Sequence, residues 1–372
     1  MFTEATPRGA TRPRLSRRLL SALDALATPH GIDRYLELID PTWSVREVRA
    51  VVTEARRQTT DSVTMTLAPN GNWTGFEAGQ HTRLSVEIDG VRHTRCYSIA
   101  TSAHRAVSFE LTVKVQPGGI VSPYLYAAAR RGMVVGLTPA QGEFILPAAR
   151  PDRVVMISGG SGITPVLSML RTLCDEAHRG PVAFVHYSFH EADMPYRAEL
   201  ARLAEEHPNV RVLRAFTAEP GRGELEGLFC DAHLSAADPV WRGAETYLCG
   251  PAPLMRAVRA SLEREGLLDR LHSEAFTLSP PASEPGPGPR GTVRFERSGA
   301  EIDADGRTLL ELAEAVGLHP THGCRMGICH TCTRRMSRGT VRDLRTGTTR
   351  TAVDSDVQLC VHVPDGDVSL DL

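Results

Sequence analysis

Between residues 45 and 149 apolar and polar positions alternate in short runs, such as "RHTRCYSIA" (residues 92–100) and "VSFELTVKV" (107–115), broken by Gly, Pro, Asn and Asp. A period of two over five to nine residues predicts half-buried strands, and their number and turn spacing predict a small antiparallel barrel. From residue 150 the pattern changes. "DRVVMISGGSGITPVLSMLRTL" (152–173) reads as an apolar strand, a glycine-rich turn and an amphipathic helix, and "PVAFVHYS", "NVRVLRAFTAE" and "ETYLCGPAPLMRAVRASLEREG" continue the alternation to about residue 278. That is βα repetition, which predicts a doubly wound α/β sheet.

"SPPASEPGPGPRG" (279–291) holds five prolines and three glycines in thirteen residues, so it predicts an extended spacer between domains. Beyond it, residues 292–318 read as two short strands, a turn and a helix with Leu309, Leu312, Ala313 and Val316 on one face. "VQLCVHVPDGDVSLDL" (357–372) reads as a closing strand, which makes residues 292–372 an α+β domain. Ahead of the barrel, residues 1–44 form an extension whose "PRLSRRLLSALDALATPHG" (13–31) has helical periodicity, arginines at its start and Pro29 and Gly31 to stop it. It is expected to pack on the barrel as a partly helical extension, with a docking or membrane-surface helix as the alternative.

Composition narrows the function. A chain of 372 residues predicts two or three domains. With 23% charged residues and a formal net charge of -2, neither nucleic acid nor membrane is indicated as a partner by charge. No run of eighteen apolar residues and no secretory signal pattern occurs, so the expected location is cytoplasmic, with the inner face of a membrane reached through a partner as the alternative. Lys114 is the one lysine among 42 basic residues, a mark of GC-rich coding more than of function. In that setting the eight cysteines are expected as ligands or buried side chains and not as disulfides.

"HGCRMGICHTC" (322–332) sets Cys324, Cys329 and Cys332 at C-x4-C-x2-C spacing, and Cys360 follows at a distance. Structural zinc with four thiolates normally uses two separate C-x2-C pairs, and one is present here. The spacing is that of a [2Fe-2S] loop, whose glycines, Gly323 and Gly327, allow the backbone to wrap closely. Residues 292–372 therefore resemble a plant-type ferredoxin domain, which implies a ubiquitin-like (β-grasp) fold and the four cysteines as metal ligands.

Three further motifs suggest what supplies electrons. "GGSGITP", with Gly159, Gly160, Gly162 and Thr164, joins a strand to a helix, where backbone amides and the helix N-terminus stabilise a pyrophosphate. "RCYS" (95–98) combines a cation, an aromatic ring and a hydroxyl; "GGIVS" (118–122) offers a second amide-rich turn. In this order, with "CGP" at 249–251, they resemble the ferredoxin-NADP reductase superfamily, and the whole is similar to single-chain reductases with flavin, nicotinamide and C-terminal [2Fe-2S] domains.

That resemblance implies FAD (FMN as the alternative) held by Arg95, Tyr97, Ser98, Gly118, Gly119 and Ser122. It implies NADPH (NADH as the alternative) on the glycine turn, with Cys249 and Gly250 beside the nicotinamide and Glu274 and Phe276 of "SEAF" at the flavin edge. Ser98, Cys249 and Glu274 are the candidate catalytic residues. For a 2′-phosphate, Ser188, Arg197, Thr217 and Arg222 are candidates, and Glu219 for a ribose hydroxyl. Cys96, Cys174 and Cys230 are expected as small buried side chains. Electrons are expected to leave through the cluster to an oxygen-activating protein. A membrane fatty-acyl desaturase is the first expectation, from residues 28–50, and a Rieske-type or other non-haem iron oxygenase the alternative.

Overall fold

Six strands, β1 (Val48–Thr59), β2 (Ser62–Pro69), β3 (His81–Ile88), β4 (Val91–Ser98), β5 (Phe109–Lys114) and β6 (Val134–Leu137), pair antiparallel in the order β4-β3-β6-β1-β2-β5. A bridge between Ile99 and Leu111 joins the outer strands and closes the barrel. The computed structural model describes residues 32–105, 107–276, 291–322, 327, 330–344 and 347–372. Alternate side chains of the strands, among them Val52, Met65, Leu67, Leu84 and Leu111, fill the barrel with Leu125 from helix α2 (Val121–Ala128). Ahead of the barrel, α1 (Ile32–Glu37) is fastened by the Asp33 carboxylate, which accepts from Ser44 Oγ at 2.8 Å and the Val45 amide at 2.6 Å. The expected helix at 13–31 lies outside the described residues.

The second sheet is parallel throughout, in the order β11-β10-β7-β8-β9, from β7 (Val154–Gly159), β8 (Val182–Ser188), β9 (Val210–Phe216), β10 (Glu245–Cys249) and β11 (Leu271–Glu274). Strands β7 and β8 are buried along their whole length, as a sheet covered on both faces requires. Helices α3 (Ile163–Asp175) and α4 (Arg197–Glu206) cover one face; α5 (Asp231–Ala237) and α6 (Ala252–Arg264) cover the other. The chain turns outward in both directions from β7, so the topological switch lies between β7 and β10, where open α/β sheets bind ligands.

The third sheet, β13-β12-β16-β14-β15, is built of β12 (Thr292–Phe295), β13 (Ala300–Asp303), β14 (Thr333–Asp343), β15 (Thr349–Gln358) and β16 (His362–Leu370), with α7 (Leu309–Ala315) packed on it. Thr308 and Glu311 form a reciprocal capping box at the start of α7, whose Leu309, Leu312 and Ala313 are buried. The stretch 357–372 departs from the expectation of one closing strand. Val357 and Gln358 finish β15, and Cys360 sits in the tight connection before β16, which frees its thiol from the regular alternation of a strand.

Barrel and parallel sheet are joined by a largely but not fully buried guanidinium. Arg171 of α3 donates from Nη1 to Glu110 Oε2 of β5 and to the Ala100 carbonyl, both at 2.8 Å, and from Nε and Nη2 to the Glu199 carboxylate at 2.7 and 2.6 Å. Burial acts against the charge, but the two carboxylates outweigh it and hold the group more basic than an ordinary arginine. Tyr196, in a left-handed conformation (φ 61°), places its ring against Arg171 and its hydroxyl on Thr112. Replacing Arg171 by Met leaves two carboxylates at the joint without their cation. The expected loss is about 3–5 kcal/mol of stability in urea unfolding; a loss below about 1 kcal/mol, typical of a surface pair, would contradict the account.

Candidate active site

At the carboxyl ends of the parallel strands three polar side chains fall in register: Ser158 on β7 beside Cys249 on β10, and Cys249 beside Glu274 on β11. The glycine turn between β7 and α3 is packed hard against them. A Cβ on Gly162 would lie 2.2 Å from the Cys249 carbonyl oxygen, so the turn can approach β10 only with glycine at this position. Cys249 is fully buried; burial and then the neighbouring Glu274 push its thiol well above the ordinary range. Burial raises the Glu274 carboxyl to about 8, and its Oε2 has no hydrogen-bond partner.

From the barrel, β4 ends at Ser98, which is buried with Oγ also lacking a partner. Two buried polar atoms without partners, Ser98 Oγ and Glu274 Oε2, fit a polar group of a bound cofactor. Directly across from Ser98 stands His81 of β3, with Nδ1 3.8 Å from Glu274 Oε1. Sequence reading missed His81, although the signal is present. Asp89 and Gly90 form a two-residue hairpin turn, both with positive φ (51° and 76°), and counting back from Ile88 opposite Val91 puts His81 opposite Ser98.

The other expected residues divide into two groups. A cleft of about 500 Å³ between the domains is lined by Gly159, Gly160, Gly162, Ser188, Gly250 and Phe276, together with Lys114 and Gln116 of the barrel and the apolar Phe189, Leu228 and Pro251. Outside that lining, Arg95 is exposed on β4 and donates to its neighbour's carbonyl, and Tyr97 packs against the barrel core, where burial raises its hydroxyl above its usual range. Gly118 (φ 75°) and Gly119 form the turn before α2, and Ser122 Oγ closes it by accepting from the Gln116 amide at 2.9 Å. Thr164 Oγ1 donates back to the Ser161 carbonyl at 3.1 Å, and Ser188 Oγ to that of His190 at 2.9 Å. Arg197 and Arg222 both pair with Glu191, whose amide donates to Glu219 at 2.6 Å; Thr217 lines the cleft. Cys96 and Cys174 are half-buried, but Cys230 is exposed beside α5, contrary to expectation, because it precedes the helix and not its apolar face.

Cys332 and Cys360 are both buried in the third domain's core, and the Leu359 amide donates to the Cys332 carbonyl at 3.3 Å, which brings the two segments together. Gln358 Nε2 donates to the Gly327 carbonyl at 2.7 Å, and Gly327 (φ 75°) and His330 (φ 54°) take left-handed conformations in the loop. These are buried thiols on a tightly turned backbone, a donor set that fits a [2Fe-2S] cluster; Cys324 and Cys329 lie outside the described residues. Arg83 of β3 donates from Nη1 to Thr331 Oγ1 at 2.8 Å, so this loop meets the barrel on the strand paired with β4.

Residues 50–145 match an oxidoreductase FAD-binding domain, 156–260 an oxidoreductase NAD-binding domain and 293–365 a 2Fe-2S iron-sulfur cluster binding domain. An NADPH oxidoreductase of Mycobacterium tuberculosis is 37% identical over 352 residues, which cover 93% of this chain and 90% of the relative. The chain belongs to the ferredoxin-NADP reductase superfamily. It is an oxidoreductase of the single-chain type that combines flavin, nicotinamide and C-terminal [2Fe-2S] domains. The glycine betaine monooxygenase reductase subunit of Pseudomonas aeruginosa is 32% identical over 80% of this chain and 87% of its own length. Phthalate dioxygenase reductase, a modular structure for electron transfer from pyridine nucleotides to [2Fe-2S], shares the fold over 87% of this chain and 97% of that one, with a TM-score of 0.58 at 21% identity.

Within this reductase, Gly162→Ala forces β10 and the turn apart. We expect a loss of about 1–3 kcal/mol in stability, the range for overpacking, and a raised KM for NADPH. Thermal unfolding and steady-state kinetics check this, and a variant unchanged in both would contradict the close packing.

Proposed function

We propose that this reductase draws electrons from NADPH and delivers them to a separate oxygenase, with the cluster domain as the exit. The observation that carries the reading is the Arg83–Thr331 hydrogen bond, because it seats the cluster loop against the strand that pairs with the flavin strand β4. Held by the barrel, FAD would supply hydride acceptance and one-electron release, and a [2Fe-2S] cluster held by the cysteines of the last domain would supply one-electron relay.

The chain's own residues position and shield. Tyr97 offers its ring and Ser98 its hydroxyl at the end of β4. The Gly159–Gly162 amides at the start of α3 receive a pyrophosphate, while Cys249, Gly250 and Phe276 form the floor and rim of the nicotinamide end. Cys324, Cys329, Cys332 and Cys360 hold the cluster as thiolates. For the nucleotide, Arg197 and Arg222 flank Glu191 and supply the cations a 2′-phosphate needs. That supports NADPH, in line with the name of the mycobacterial relative.

The oxygenase reading draws on the relative named as a glycine betaine monooxygenase reductase subunit, with an aromatic O-demethylase reductase subunit beside it. A membrane acyl desaturase stays the alternative acceptor, resting on residues 28–50 alone. Co-expression with each class of partner and NADPH-driven product formation separates the two.

Cys332→Ser should abolish NADPH-driven reduction of cytochrome c, which needs the cluster, and leave ferricyanide reduction by the flavin largely intact; loss of both would place the cluster before the flavin or show that the domains fold together. Arg197→Ala should raise KM for NADPH about tenfold, as expected for one charged hydrogen bond, with little effect on NADH. Equal effects on the two nucleotides would argue against a 2′-phosphate contact.

A further inference from the structure

The loop that carries the cluster cysteines meets a cation that belongs to another domain. Arg83 of β3 donates from Nη1 to Thr331 Oγ1 at 2.8 Å, and Thr331 stands next to Cys332 in the chain. Both backbone groups of Arg83 are taken by Thr138, whose hydroxyl accepts from the Arg83 amide and whose amide donates to the Arg83 carbonyl, each at 3.1 Å, so the base of the side chain is fixed. Its Nε is buried without a hydrogen-bond partner, and the guanidinium forms no ion pair, among the described residues. On the other side of the joint, residues 322–332 contain no Asp or Glu. Arg334 braces the same loop from within, donating from Nη1 to the Thr333 carbonyl at 2.8 Å and to that of Thr331 at 3.4 Å. Two guanidinium groups therefore bracket Thr331, one from its own domain and one from the barrel.

We propose that Arg83 raises the reduction potential of the cluster from across the domain joint, and so favours passage of the electron from flavin to cluster. The proposal rests on the reading that Cys324, Cys329, Cys332 and Cys360 hold a [2Fe-2S] cluster fed by the flavin. In that step one electron leaves the reduced flavin and the oxidised cluster gains it, so a site that four thiolates already make anionic takes on a further negative charge. A fixed cation beside such a site stabilises the more negative, reduced form, and an arginine keeps its charge throughout the working pH range. No carboxylate of the loop cancels it, and burial of Nε keeps water from screening it fully. The charge is supplied by a different domain. The residues of the barrel core and those of the third domain's core form two separate sets, so the joint is polar and the cation stays with the barrel. Arg334, by contrast, travels with the cluster. A loop that leaves the barrel leaves Arg83 behind, and its cluster becomes the stronger reductant.

The test is the midpoint potential of the cluster in the holoenzyme, measured by anaerobic spectroelectrochemistry on the iron-sulfur bands and by EPR of the reduced cluster. Wild type, Arg83→Gln, Arg83→Met and Arg83→Lys are compared, each with its iron and flavin content determined. We expect the two neutral variants to lower the cluster potential, so that the ratio of reduced to oxidised cluster at a given potential falls about tenfold, the size of one charge interaction. For a one-electron couple that is about 59 mV. Arg83→Lys keeps the charge and should stay nearer wild type than either, which a purely structural role would not produce. A cluster potential unchanged in the neutral variants, or a lysine variant that falls as far as they do, overturns the proposal. Should one neutral variant lose its cluster, the other carries the test. A wild type without iron-sulfur absorbance contradicts the cluster reading itself, and a loaded wild type whose cluster NADPH does not reduce contradicts the order of transfer; both differ from a working wild type with unaltered variants.

Discussion

The guanidinium of Arg171 is the constraint on which the site depends. It lies on the helix that begins at the glycine turn, about two turns further along, and it grips the barrel through Glu110 and the Ala100 carbonyl. One rigid helix thus presents the nucleotide-binding turn at its start and holds the flavin barrel along its side. The Ser168 hydroxyl on the same helix donates to the Thr101 carbonyl at 2.6 Å and reinforces the grip. A largely buried cation is costly to desolvate, and the arrangement is tolerable because two carboxylates and a carbonyl satisfy its donors. What this joint secures is geometry: His81, which pairs with Ser98 on the barrel, comes within 3.8 Å of Glu274, which pairs with Cys249 on the parallel sheet.

The second constraint is charge. Ser158, Cys249 and Glu274 line up at the end of the parallel sheet because their strands are in register, and burial there pushes both the thiol and the carboxyl toward their neutral forms. Charge is kept instead at the rim, where Arg95 is exposed and Arg197 and Arg222 share Glu191. The exit is arranged differently: the cluster loop reaches the barrel by a polar contact, Arg83 to Thr331, which suits a domain that must also meet a partner.

Much of this was legible in the sequence wherever one local rule decides the outcome. Continuous apolar runs at 154–157 and 182–185, bounded by turn residues, read as strands of a parallel sheet, and the glycine turn after the first read as opening a helix. The residues that escaped notice owe their place to tertiary pairing. His81 reads as an ordinary strand residue until the Asp89–Gly90 turn is used to count the register, and Arg171 reads as one polar position on an amphipathic helix. Cys360 was expected on a strand because its neighbours are apolar, yet those neighbours, Leu359 and Val361, are buried by a turn between two strands. Periodicity reports that a side chain is buried, and it does not say which element buries it.

The account makes the chain a conduit from nicotinamide through flavin to cluster, and stepwise anaerobic reduction tests that claim most directly. Purified protein is titrated with NADPH while the visible spectrum is recorded. The account predicts flavin and iron-sulfur absorbance together at the start and bleaching of both as NADPH is added. Bleaching of the flavin with an iron-sulfur spectrum that stays oxidised would contradict it, because the last domain would then be isolated from the electrons the first two collect.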